Sequence, residues 1–172
     1  NPNGATSGTT YLYAQWNSAS VKLPTATLPG YTFLGWYDAA TGGNKIGDAG
    51  DSYTPTAAKT LYAHWTANKI TVKFDGNGST GGSMTDQQFT YDTAQALKSN
   101  GFSRAYTVTY NGNFAGKTPT LGATSQTATY TFKNWNNAAA GNGSYTYTNG
   151  QTVTNPNGAT SGTTYLYAQW NS

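Results

Sequence analysis

The sequence predicts a mainly β chain with little helix, and three observations carry that prediction. Aromatic residues make up 15% of the 172, with fourteen Tyr and five Trp, while Glu is absent and charged residues reach only 9%. The strongest helix formers are therefore scarce, whereas Tyr, Trp, Thr and Val suit a pleated, half-buried surface. Short phrases of alternating polarity recur along the chain, as period-two strands do. Asn-Gly pairs at Asn3, Asn77, Asn100, Asn111, Asn142, Asn149 and Asn157 punctuate them, and Asn-Gly suits hairpin turns that need positive φ at both central residues.

The closing stretch Asn155–Ser172 repeats Asn1–Ser18 letter for letter. Such identity marks an internal repeat, and the chain reads as a portion of a tandem array. Residues 1–18 are then expected to be the closing strand of a preceding, truncated repeat, residues 19–68 a short repeat module, and residues 69–172 a long module with an inserted segment at 103–127.

Thr10–Trp16 alternates as a strand, and Thr60–Trp65 is its counterpart. Leu12, Ala14 and Trp16 fall on one face with Leu61, Ala63 and Trp65; Tyr13 pairs with Tyr62, and Gln15 with His64. Pro24 and Pro29 exclude a central strand between them and imply an extended connection. Gly30–Trp36 is a strand whose counterpart is Thr129–Trp135, with Tyr31 and Phe33, like Tyr130 and Phe132, facing the core. Trp36 and Trp135 have the parity of the solvated face, so a bulge at Gly35 or Asn134 is needed to return them to the core edge. Tyr37–Asp51 reads as a loop carrying a hairpin. About fifty residues rarely bury enough apolar surface alone, so the short module is expected to lean on a neighbour.

Lys69–Asp75 places Ile70, Val72 and Phe74 inward, Gly76–Gly82 is a turn, and Gln87–Tyr91 is a further strand. Asp92–Lys98 is the one helix-compatible stretch, with Asp92 as N-cap and Asn100-Gly101 as stop. Ala105–Tyr110 belongs to an inserted hairpin or to the start of another module. Thr127–Trp135, Ser144–Thr148, Thr152–Thr154 and Thr164–Trp170 complete the strands, with Leu166, Ala168 and Trp170 facing the core.

The net charge of +3 comes from nine scattered cations and forms no basic stripe, which excludes an electrostatic nucleic-acid surface. The absence of Cys removes disulfide, thiolate-zinc and thiol chemistry. No apolar run is long enough to span a membrane as a helix, and no signal peptide is recognisable.

The phrases Gly30–Tyr37, Ser52–Thr56, Thr60–Trp65 and Thr71–Gly78 together resemble the Listeria–Bacteroides repeat family, related to the B repeats of internalin-type surface proteins. The resemblance implies small β-grasp-like modules, arrayed in tandem in bacterial cell-surface and secreted proteins, where they serve as stalks, spacers or adhesive segments. Two departures stand out. The short module lacks a first strand like Thr71–Phe74, and the long module carries the extra segment 103–127.

Catalytic chemistry is sparse. His64 is the sole histidine, and Gln15 and Gln169 hold the equivalent repeat position, which favours a surface β residue over a general base or a metal ligand. The six aspartates sit beside Gly or Asn, as turn residues do, a reading preferred to a loop calcium site near Asp48 and Asp51. Gly76–Gly82 lacks the Lys-Ser/Thr ending and following helix of a phosphate loop. No catalytic, metal-binding or cofactor-binding residue is therefore assigned, and no cofactor is expected. The outward tyrosines Tyr13, Tyr62 and Tyr167 are the candidates for stacking on a ligand, against cross-strand packing as the simpler role.

The expected function is a non-enzymatic structural segment of an extracellular bacterial surface protein, with neighbouring repeats as partners and lateral or end-to-end self-assembly as an extension. The alternative is an adhesin module that binds a glycan or host protein through exposed Tyr and Trp.

Overall fold

The computed structural model describes Thr9 and residues 11–171. Among these the chain is almost wholly β: β1 (Val21–Lys22), β2 (Tyr31–Tyr37), β3 (Lys45–Gly47), β4 (Ser52–Tyr53), β5 (Tyr62–Ala67), β6 (Lys69–Asp75), β7 (Gly81–Gly82), β8 (Gln87–Thr90), β9 (Gln95–Ala96), β10 (Phe102–Thr109), β11 (Ser125–Asn136), β12 (Thr146–Tyr147), β13 (Thr152–Val153) and β14 (Gly162–Asn171). The helical content of the described residues is one 3-10 turn at Pro156–Gly158. The chain divides into two compact units, one of residues 1–27 and 33–65, the other of residues 28–32 and 66–172.

In the first unit β2 lies between β3 and β5, and β1 pairs antiparallel with β4. Leu23 is its one buried large apolar side chain among the described residues. Aromatic contacts supply most of the rest: Phe33 lies 5.6 Å from Trp36 and 5.2 Å from Trp65. That thin core is what a module of about fifty residues should show.

The second unit is built on a sheet ordered β7–β10–β11–β14–β6–β8, with β12 also pairing β11. The central β6–β14 pair is parallel, and the other pairs in the sheet are antiparallel. Its core comprises Ile70, Val72, Phe89, Leu97, Trp135, Tyr147, Val153, Leu166 and Ala168. Ile70 and Val72 are wholly buried and Phe74 packs against them, as their alternation predicts. Leu166 and Ala168 also face the core as expected, and Trp170 is half-buried beside Phe132.

The parity problem at Trp135 is solved by a bulge. Phe132 pairs with Trp170 and Asn134 with Gln169, so Lys133 is the extra residue, and both Phe132 and Trp135 turn inward. In β2 a register shift against β3, on the other edge, falls between Trp36 and Tyr37, and Gly35 has φ +122°. The segment 103–127 forms the far end of the β10–β11 hairpin, from Arg104 opposite Tyr130 to Thr109 opposite Ser125.

Three expectations are corrected. Asp92–Lys98 is not helical. Asp92 has φ +57° and its N–H donates to Asn155 Oδ1, while Gln95 and Ala96 pair with β13 as β9. Leu97 is thereby drawn into the core, a tertiary gain that outweighs two turns of local helix propensity. Among the described Asn-Gly pairs, only Asn77-Gly78 and Asn157-Gly158 take positive φ at both residues. Finally, the expected strand Thr10–Trp16 is absent over its described residues: Tyr11–Trp16 form no ladder and are exposed, with Leu12 at 72% and Trp16 at 89%. Residues 1–8 and Thr10 lie outside the described residues.

Candidate functional site

The two units repeat one arrangement. β1 pairs with β4 as β9 pairs with β13, Val21 opposite Tyr53 matching Gln95 opposite Val153. β3 pairs with β2 at Trp36–Gly47, as β12 pairs with β11 at Trp135–Tyr147. The Leu23 N–H donates to Asp51 O at 2.9 Å, and the Leu97 N–H donates to Gln151 O at the same distance. β5 lies beside β2 as β14 lies beside β11.

One difference follows from the missing first strand of the short module. Where the second unit has β6 and β8, the first has an open groove of about 690 Å³, walled by Leu23, Pro24, Trp36, Tyr53, Pro55 and Leu61. The Trp36 Nε1–H donates to Pro24 O at 2.8 Å, which fixes the indole along one wall. Lys22 and Lys59 are the charged residues on its lining, and Lys59 lies 3.7 Å from Asp38. The groove therefore suits an uncharged, apolar occupant and holds no acid–base pair for catalysis.

The expected stacking tyrosines lie elsewhere. Tyr13 is 80% exposed and in no strand. Tyr62 begins β5 and is 39% exposed. Tyr167 is half-buried on β14, its ring 6.4 Å from that of Tyr165. None of the three lines the groove. Sequence reading missed the groove because its walls come from four separated segments; the signal for it was the absent Thr71–Phe74-like strand.

His64 holds a structural post. It stacks on Tyr37 at 3.9 Å and 6°, and its Nε2 hydrogen-bonds Ala39 O at 2.9 Å. At the equivalent position Gln169 Nε2 donates to Ala138 O and Ala139 O. His and Gln thus close the same loop in each unit. The aspartates work locally as well: Asp38 Oδ1 accepts the Asn44 N–H at 2.7 Å, Asp51 Oδ2 accepts the Asp48 N–H at 2.7 Å, and Asp48 pairs with Lys45 at 2.7 Å. The Asn44 N–H holds the Asp38 carboxyl below the usual aspartate range. Among the described residues no three His, Cys, Asp or Glu side chains are grouped to hold a metal, and no helix is long and apolar enough to cross a membrane.

A family model described as the Listeria-Bacteroides repeat domain matches residues 1–64. Internalin H of Listeria monocytogenes is 47% identical over 74 residues, covering 42% of this chain and 13% of that protein. A putative Gly-rich membrane protein of Evansella cellulosilytica is 36% identical over 66 residues, covering 38% of the chain and 7% of that protein. The chain thus spans a small part of the length of these relatives. No solved structure matches.

Proposed function

Residues 1–64 belong to the Listeria-Bacteroides repeat family, and from that premise we propose that the chain is a non-enzymatic structural segment of a bacterial surface protein. Its work is mechanical: β-grasp-like modules follow one another as a stalk or spacer, and packing between successive modules carries the load. The observation that supports this most is the recurrence of one strand arrangement in both units, with His64, Asp38, Asp48 and Asp51 each spent on a turn or loop of their own unit. The parallel β6–β14 pair within an otherwise antiparallel sheet agrees with a β-grasp-like module that has lost its helix. Similarity to Internalin H and to a putative membrane protein supports a place at the cell surface.

The test is thermal. Leu28–Thr32 folds with the second unit, where Gly30 O accepts the Asn68 N–H and the Tyr31 hydroxyl donates to Asp92. A chain of residues 19–68 alone should therefore melt well below the same residues in the whole chain. Equal melting temperatures would remove the argument for mutual support.

The adhesive reading has an observation in its favour, the exposure of Tyr13 and Trp16. A glycan array probed with the whole chain separates the two. Specific binding lost in Tyr13→Ala and Tyr62→Ala would favour adhesion, and no binding would leave the structural role.

A further inference from the structure

The β10–β11 hairpin has two unlike faces. Thr107, Thr109, Thr127 and Thr129 alternate onto one, where the Thr107 and Thr127 hydroxyls share a 2.9 Å hydrogen bond. Arg104, Tyr106, Val108 and Tyr110 alternate onto the other, with Tyr130 opposite Arg104 and Gln126 opposite Val108. The Tyr110 hydroxyl donates to Gln126 Oε1 at 3.0 Å, which keeps that ring on the same side. This face continues the side on which Phe102 and Phe132 pack against the core. Beyond Arg104 it runs out into solvent, with Tyr106 45%, Val108 53% and Tyr110 43% exposed. An apolar sheet face left open in this way marks a site of interaction.

The charge on the face is unmatched. Arg104 is the chain's single arginine, and residues 93–172 hold Lys98, Arg104, Lys117 and Lys133 but no Asp or Glu. The guanidinium lies 4.9 Å from the centre of the Tyr130 ring and 5.6 Å from that of Tyr106, and the two rings meet edge to face at 5.9 Å. It also packs against Gly78, where an added Cβ would sit 3.5 Å from the arginine Cζ. Among the described residues no carboxylate pairs with it, and its buried Nε–H has no acceptor. Rings and glycine thus hold a planar cation in place without neutralising it.

We propose that this face binds a carboxylated saccharide, with the carboxylate on Arg104 and the sugar rings lying along Tyr106, Val108 and Tyr110. A fixed guanidinium takes a carboxylate through two parallel N–H donors at its terminal nitrogens. The tyrosine rings beside it turn electron-rich faces to the C–H bonds of a sugar ring. Arg104 and Tyr110 are about 20 Å apart along the strand, room for an oligosaccharide rather than one sugar. An acidic peptide fits less well, because its amides would lie on rings and on Val108 without hydrogen bonds. A polyphosphate chain needs a row of cations, and this face carries one. Among the described residues β10 has no counterpart in the first unit, so the site belongs to the second unit alone. The proposal goes beyond the structural reading above and does not rest on it.

Calorimetric titration of the whole chain tests it, with tetragalacturonate, a hyaluronan hexasaccharide and sialyllactose as probes, each beside its carboxyl-reduced neutral form. At least one acidic probe should bind with a dissociation constant of about a millimolar or tighter, and its neutral form about tenfold or more weakly than that. Added salt should weaken the acidic probe alone, because the ion pair is open to solvent. Arg104→Lys keeps the charge and loses the fork, and Tyr106→Ala removes a ring; each should weaken binding by about tenfold or more. Tyr165→Ala, at a 48% exposed tyrosine of β14, should leave binding unchanged. Near-UV circular dichroism matching the parent chain identifies the variants that keep the fold. Four binding results overturn the proposal: no acidic probe bound at about 10 mM, neutral forms bound equally, loss in Tyr165→Ala equal to that in Tyr106→Ala, or a tetra-aspartate peptide bound as tightly as the best saccharide. A dimer that Tyr106→Ala dissolves would overturn it too, by making the face a contact between copies. None of these results bears on the thermal support of residues 19–68, so the structural reading stands or falls separately.

Discussion

Two pairs of residues show how single side chains were exchanged between repeats without changing their task. Asp38 Oδ1 accepts the Asn44 N–H, and at the matching position Asn137 Oδ1 accepts the Tyr145 N–H at 3.0 Å. The Asp38 carboxyl sits lower than in an unfolded chain, chiefly through that backbone donor. The folded state then binds its proton less readily than the unfolded state, so this stabilisation is present above the ordinary aspartate range and is lost as pH falls through the folded value. Asp38→Asn keeps the acceptor and removes the titration. Chemical denaturation of the first unit across the acid range should show a shallower loss of stability in the variant than in the parent chain. His64→Gln likewise keeps the donor to Ala39 and loses the Tyr37 stack, so a decrease within about 1 kcal/mol is expected by denaturant titration. Tyr147 is placed differently. Its hydroxyl accepts the Asn157 N–H at 2.8 Å, and burial pushes its phenol above the usual tyrosine range. Tyr147→Phe leaves that N–H without its acceptor and should cost about 1–3 kcal/mol in urea unfolding.

Among the elements, β11 carries the most tertiary consequence, because the bulge at Lys133 delivers Trp135 to the centre of the core. Trp135 is wholly buried and packs on Phe74, Phe102 and Phe132. Trp135→Ala should cost about 3–5 kcal/mol of the second unit's stability, read from its urea midpoint. The start of β2 depends on a glycine: Gly30 has φ +80°, and a Cβ there would run into the Tyr91 ring. Gly30→Ala should therefore destabilise by more than the ordinary change at an open glycine. Strand existence was legible in the sequence for β2, β6, β8, β11 and β14, and facing for β2, β6, β11 and β14, because alternation over half a dozen residues fixes which side is buried. The segment Asp92–Lys98 misled, since a two-turn helix has too little local stability to resist a strand pairing that buries Leu97.

On the scale of the molecule the two units differ in what holds them. The second has a continuous core around β6 and β14, and the first relies on Leu23 and a half-buried group of aromatics. Hydrogen exchange should record this as slow amides in β6 and β14 and faster ones in β2 and β5, measured by peptide mass spectrometry. Comparable protection in both sets would mean that the first unit draws stability from a source other than its own core.

The sequence by itself determined that the chain is β, which faces of most of its long strands are buried, and that residues 1–64 resemble a recognisable repeat family. It also announced the groove indirectly, through a strand the short module does not have. Tertiary structure alone decided what the shared sequence Tyr-Leu-Tyr-Ala-Gln-Trp becomes at 11–16 and at 165–170. Over Gly162–Asn171 it is β14, with Leu166 and Ala168 wholly buried between β6 and β11. Over the described part of Asn1–Ser18 no such flanking strands are present, and the same alternating residues stand in solvent. Alternation makes a stretch competent to be a strand, but the ladder and the burial that stabilise it come from partners elsewhere in the chain.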